Sequence, residues 1–223
     1  MKKQKIFIAC DTTSLKKIKK IIKETQNSKL IFGYKFGLQF LNSKNGRKFV
    51  SSLKNKITFG DYKLADIPNT CVSAIKAVRD LKLNYITIHI SSGLKALKAA
   101  KKVSGKTKLI GVTILTSLDN KSLKEIGFEK EVKKLVLHQA KLASKAKLDA
   151  IVCSPQEIKI VKKVFKKEII TPGIRLSGDS KDDQKRVMTP KQAFQNGATA
   201  LVIGRSLTDN IKKNMQRLSK ELN

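Results

Sequence analysis

The chain has 223 residues, of which 40% are apolar and 29% charged, enough to build a core and inconsistent with a disordered chain. Lys and Arg number 48 against 17 Asp and Glu, a formal charge of +31, and only six of the basic residues are arginine. No stretch approaches the roughly 20 apolar residues that span a bilayer, and three scattered cysteines with two histidines argue against a disulfide framework, a Cys-rich zinc site or a His-built metal site.

The N-terminal segment is basic and then apolar, but it reaches Asp11 too soon for a secretory leader. It reads instead as a first strand, Lys5 to Asp11, of a cytoplasmic protein. Ser14 to Thr25 follows with Leu15, Ile18, Ile21 and Ile22 at helical spacing and Ser14 placed to cap the helix. Further short apolar runs come at Leu30 to Gly37, Ile57 to Lys63, Tyr85 to Ile90, Lys108 to Leu115, Ala150 to Ser154, Glu168 to Ile174 and Ala200 to Gly204. Amphipathic stretches separate them. Continuous apolar runs of this length suit buried parallel strands, and their alternation with helices implies right-handed βαβ units. Eight such units predict an α/β fold, a single (β/α)8 barrel over 1–223, with a doubly wound open sheet as the competing arrangement. Ser177 to Asp183 is the most loop-like segment and lies after the seventh strand.

In such a barrel the chemistry collects at the C-terminal strand ends. Those ends carry Asp11, Lys35, Asp61 with Lys63 and Asp66, then Thr113, Thr116 and Ser117, then Pro172, Gly173 and Arg175, and finally Gly204 and Arg205. A core needs none of these charges, and burying them unpaired costs several kcal/mol each. Asp61 and Lys63, two apart on a strand, share one face, and Lys35 on the neighbouring strand can join them. Alternating lysines and carboxylates keep one another charged. The array can set a negative charge beside a substrate anion and an ammonium proton beside a developing carbanion; the bland alternative is a structural ion-pair network. Gly204-Arg205-Ser206 reads as an anion cup at a helix start, which Arg175 and Gln184 can close. Asp66-Ile67-Pro68 also reads as a helix start, with Asp66 as its cap and Pro68 in its first turn. His89 and His138 read as structural, the cysteines as small buried hydrophobes. No dinucleotide or Walker-type glycine loop is present.

These residues stand within IACD, GYKFGLQF, DYKLADIPNT, VTILTS, VCSPQE, TPGIR, DQKRVMTPKQA and VIGRSLT. In that order and spacing the chain resembles the bacterial-type orotidine 5′-phosphate decarboxylases over nearly its whole length, with DxKxxDIPNT the most specific element. The resemblance implies cofactor-free decarboxylation of orotidine 5′-monophosphate to uridine 5′-monophosphate and CO2, in pyrimidine biosynthesis. It implies Lys63 as proton donor, Asp61 beside the substrate carboxylate, and Lys35 and Asp66 completing a tetrad. Asp66 and Thr70 are expected to reach the partner's site in a homodimer. Asp11 and Lys35 are expected at the ribose hydroxyls, Thr116 near the pyrimidine, and Arg175, Gln184, Gly204 and Arg205 at the phosphate, whose binding can draw in the loop from Gly178 to Gln184. Gly60 and Ala65 depart from the family's usual apolar residue and histidine, without removing a catalytic group.

Three rivals stand beside that reading. A Mg-dependent sugar-phosphate barrel enzyme of the hexulose-phosphate synthase or ketogulonate-phosphate decarboxylase type uses a similar Asp-x-Lys-x-x-Asp arrangement, but without Pro-Asn-Thr after Asp-Ile. A nucleic-acid-binding protein would suit the +31 charge, yet the lysines are spread along the chain and aromatic residues for base stacking are scarce. A catalytically idle barrel would not need the intact tetrad positions. No metal, membrane or nucleic-acid partner is expected.

Overall fold

The computed structural model describes residues 4–179 and 186–222. Its strands are β1 (Lys5–Ala9), β2 (Ile31–Phe36), β3 (Ile57–Leu64), β4 (Tyr85–His89), β5 (Lys108–Val112), β6 (Ala150–Val152), β7 (Glu168–Thr171) and β8 (Ala200–Ile203). They pair in parallel in sequence order, and β8 closes on β1 with Lys5 opposite Ala200. The open-sheet alternative is thereby excluded. The helices are α1 (Leu15–Thr25), α2 (Leu38–Leu41), α3 (Gly46–Ser52), α4 (Pro68–Ala77), α5 (Gly93–Val103), α6 (Asn120–Glu125), α7 (Val132–Lys145), α8 (Ile158–Val164), α9 (Pro190–Asn196), α10 (Arg205–Thr208) and α11 (Ile211–Leu222). Among the described residues no helix is long and apolar enough to cross a membrane.

Helix α1 shows how the lysine-rich sequence still folds. Ser14 caps it, its hydroxyl accepting from the Lys17 N–H at 3.3 Å. Ile18, Ile21 and Thr25 are buried on one face. Lys16, Lys19, Lys20 and Lys23 stay exposed on the other.

Strand alternation divides the core in two. Ile6, Ile8, Ile86 and Ile88 point outward, into the layer between barrel and helices. Phe7, Phe59, Tyr85, Ile110, Ala150, Ile170 and Ala200 point inward. Phe7 meets Phe59 and Tyr85 edge to face, each at 5.1 Å between ring centres. Gly33 makes room for this layer, because a Cβ there would lie 2.7 Å from the Phe7 ring. Below the rings Glu168 accepts from Lys5 at 3.4 Å, from the Tyr85 hydroxyl at 3.0 Å and from Lys108. Apolar packing and this ionic plug fill the lower barrel.

Candidate active site

Above the aromatic layer the barrel opens into a cavity of about 550 Å³ at the C-terminal strand ends. Its wall is divided by strand. Strands β1 to β3 contribute Asp11, Lys35, Asp61 and Lys63, whereas the strands opposite contribute Val112, Val152, Pro172 and Val202. A charged wall thus faces an apolar one. Ligand sites commonly pair apolar walls with a few convergent polar groups.

The charged wall is organised around Asp61, only 7% exposed. Its Oδ2 accepts from Lys35 Nζ at 3.1 Å and from Lys63 Nζ at 2.8 Å. Lys35 is 9% exposed and also reaches Asp11 Oδ1 at 3.5 Å. Burial pulls the Lys35 ammonium down, but Asp61 and then Asp11 outweigh it, so its pKa stands above the ordinary lysine value. Burial would likewise raise the Asp61 carboxyl. Lys35 and Lys63 overcome that and hold it below the usual carboxylate range. Lys35 and Asp61 therefore both stay charged around neutral pH.

Plain strand geometry does not by itself produce this contact. The β3–β4 register runs Phe59 opposite Tyr85 and Gly60 opposite Ile86, then jumps to Leu64 opposite Ile88. Lys63 sits in the left-handed region at φ 48°, which costs a non-glycine residue about 1–2 kcal/mol. Its backbone N–H finds an acceptor in the Thr87 hydroxyl at 2.8 Å. Gly60 stands at the edge of this irregularity, and an isolated glycine within a strand can signal a bulge, but the sequence reading drew no register shift from it.

Asp66 is not part of this group within the chain. It is exposed, and its Oδ1 accepts from the Ile67 N–H at 2.7 Å. Nor is it the cap expected of it: Ile67 occupies the cap position of α4 with no side-chain bond, and Pro68 begins the helix. The chain turns one residue later than its Asp suggests, so Asp66 remains outside the helix. Thr70, in the first turn of α4, is also exposed.

At the opposite end of the cavity Arg175 is buried behind β7, while Gly204 and Arg205 begin the single turn of α10 after β8. All three line the cavity, as does Thr116 in the loop after β5. Gln184 lies outside the described residues. His89, expected to be structural, is half-buried; burial and the nearby Lys63 hold its imidazole below the ordinary histidine value, against Asp61. His138 is exposed on α7.

The sequence reading missed several lining residues. Cys10 and Cys153 are buried as expected, yet both touch the cavity. Burial, and after it the Asp11 carboxylate, pushes the Cys10 thiol up to about 12, so it is not a thiolate at neutral pH. Lys17, Thr12 and Ser154 also line the wall. A buried ion pair was missed too. Arg186 Nη1 meets Glu157 Oε1 at 2.7 Å, and Nη2 donates to the Leu115 carbonyl at 2.9 Å. It ties together the loops after β5, β6 and β7. Its partners are 29 residues apart in sequence, beyond any local pattern.

Fold and site together define a (β/α)8 enzyme-type barrel whose mouth suits an anionic, partly apolar small molecule. The Orotidine 5′-phosphate decarboxylase / HUMPS family matches residues 4–215, and the chain belongs to that family. It is 42% identical over 224 residues to orotidine 5′-phosphate decarboxylase of Prochlorococcus marinus strain MIT 9215, covering 94% of this chain and 91% of that protein. The enzyme of the same name from Wolbachia sp. subsp. Brugia malayi, strain TRS, is 45% identical over 194 residues, covering 84% of each. The crystal structure of the Lactobacillus acidophilus enzyme superposes with a TM-score of 0.82 at 29% identity, covering 98% of both chains.

Proposed function

We propose that this protein decarboxylates orotidine 5′-monophosphate to uridine 5′-monophosphate, without a cofactor, as one catalytic domain of 223 residues. The observation that carries the reading is the buried Asp61 carboxylate shared by Lys35 and Lys63 at the cavity wall. Loss of CO2 breaks the bond between the carboxylate carbon and C6 and leaves its electron pair on C6. Lys63 stabilises that charge and delivers the proton that completes the product. Asp61 stands beside the departing carboxylate and holds both ammonium groups in place. Charge fixed before the reaction contributes more than rearrangement during it.

The remaining roles are those the family resemblance implies. Asp11 and Lys35 take the ribose hydroxyls. Thr116 and the apolar wall take the ring. Arg175, Gly204, Arg205 and Gln184 take the phosphate, whose binding energy helps assemble the site from a distance. Asp66 and Thr70 serve the active site of a second copy. Exposure of Ile67 at 66%, next to Asp66 in the chain, and of Leu38 at 49% supports a homodimer with shared sites. A biosynthetic role on a soluble nucleotide suits a cytoplasmic location.

The test is purified protein with orotidine 5′-monophosphate, following loss of orotate absorbance in the presence of a chelator. Sustained turnover supports the reading. Turnover that appears only when Mg²⁺ is restored, and on a sugar phosphate instead, favours the metal-dependent branch. Lys63→Ala is expected to lose at least about a thousandfold in kcat with its melting temperature retained, since it removes both charge stabilisation and proton donor. Near-normal turnover in that variant removes the role given to Lys63.

A further inference from the structure

We propose that Thr87 is a positioning residue, and that its single hydroxyl holds Asp61 and Lys63 in their reactive arrangement. The inference rests on the decarboxylase reading above and assigns the device that maintains its geometry.

Thr87 lies on β4 in the inward-facing row that begins with Tyr85, one layer above the aromatic rings. It is 1% exposed. A threonine on an inward row needs partners for its hydroxyl, which offers one proton and two lone pairs. Both capacities are used here. The hydroxyl donates to Asp61 Oδ1 at 3.1 Å and accepts from the Lys63 N–H at 2.8 Å. The same oxygen therefore touches the carboxylate that both lysines share and the backbone of the lysine that delivers the proton.

The register explains why such a contact is needed. Asp61, Tyr62 and Lys63 on β3 stand against Thr87 alone on β4, because pairing jumps from Gly60–Ile86 to Leu64–Ile88. Extra residues in one strand leave ladder groups without their regular partners. The Lys63 N–H is one such group, and its residue is also held at φ 48°. The Thr87 hydroxyl replaces the lost ladder acceptor and fixes this conformation. With the backbone pinned at Lys63 N and the carboxylate pinned at Oδ1, Nζ has a defined path to Asp61 Oδ2 at 2.8 Å. Among the described residues the Thr87 hydroxyl bonds to Asp61 and to the Lys63 backbone and to neither ammonium group, so its effect passes through Asp61 and the Lys63 backbone.

The experiment compares Thr87→Val, Thr87→Ser and Thr87→Cys with the wild type in kcat, KM and melting temperature. Valine keeps the shape and removes the hydroxyl. An error of about 1 Å in a reacting group costs on the order of a hundredfold, so Thr87→Val is expected to lose about that factor in kcat while KM stays within about threefold. Serine restores the hydroxyl and is expected to recover kcat to within about fivefold of wild type. If valine prevents folding, Thr87→Cys carries the test: it keeps the volume but bonds weakly, and a loss of at least about tenfold in kcat is expected. Wild-type kcat in the valine or cysteine variant overturns the proposal. So does a loss that serine fails to rescue, or one confined to KM. Absence of turnover in the wild type overturns the decarboxylase reading and the role of Thr87 with it; wild-type turnover with an unaffected valine variant overturns the role of Thr87 alone.

Discussion

Arg186→Met leaves the Glu157 carboxylate, 1% exposed, without its cation. Removing one partner of a buried pair costs about 3–5 kcal/mol. For a chain of this size each kcal/mol lowers the melting temperature by roughly 2–4 °C, so a fall of about 6–20 °C is expected. The double variant Glu157→Gln with Arg186→Met behaves differently, because no orphan charge remains. The native pair is itself incompletely satisfied: Glu157 Oε2 and Arg186 Nε make no hydrogen bond among the described residues. Leu115, whose carbonyl loses a donor in both variants, is 38% exposed, so water can take the place of Arg186 there. The double variant is therefore expected within about 2 kcal/mol of wild type. Thermal and urea melts of the three proteins decide the matter. A double variant as unstable as the single one, or a single variant as stable as wild type, refutes the assignment of the cost to an unpaired buried carboxylate.

Two further outcomes concern the site. Asp61 has a lowered folded-state pKa, so its contribution to stability is present above its unfolded value of about 3.9 and is lost as pH falls through the folded value. Lys35 has a raised one, so its contribution is present below about 10.4 and is lost as pH rises through the folded value. Urea melts of wild type and Asp61→Asn should differ by a constant amount from about pH 5 to 9 and converge only below about pH 4; convergence already near pH 6 contradicts the ion-pair assignment. Mixing inactive Lys63→Ala with inactive Asp66→Ala should restore roughly a quarter of wild-type turnover, because half the dimers are mixed and each holds one intact site. No restoration after subunit exchange counts against sites shared between copies.

How much of this was legible follows from what each feature depends on. Strand starts at Lys5, Ile57, Tyr85, Lys108, Ala150, Glu168 and Ala200 agree with the structure, since each begins a continuous apolar run. Strand ends were overrun by two residues or more at β1, β5, β6 and β7, where Cys10, Ile114, Leu115, Cys153 and Pro172 continue the apolar pattern while lining the cavity. There apolarity serves a ligand wall and not a ladder. Lys35, Asp61 and Lys63 were legible as a group because charge at the end of an apolar strand has few other uses. The register jump that makes their contact was not, because it depends on pairing with Thr87 across two strands. Thr87 did leave a trace: a polar residue two after Tyr85 on an inward row. The Glu157–Arg186 joint left none, as nothing in either residue's neighbourhood predicts the other.

The same distinction explains the charge. The surface lysines of α1 stand in solvent, where ions screen them over about 8 Å at physiological salt. They act on the encounter with an anion, not on a bond being broken. The cavity wall carries its own balance: Lys17, Lys35, Lys63, Arg175 and Arg205 against Asp11, Asp61 and Asp209. Lys35 and Lys63 meet Asp61 at contact distance, and Lys35 also meets Asp11, so at that end two ammonium groups stand against two carboxylates. In the proposed function a substrate whose phosphate is held by Arg175 and Arg205 brings its carboxylate to Asp61 and Lys63. The +31 of the chain does not set the charge pattern of the cavity; the placement of three carboxylates among five cations does.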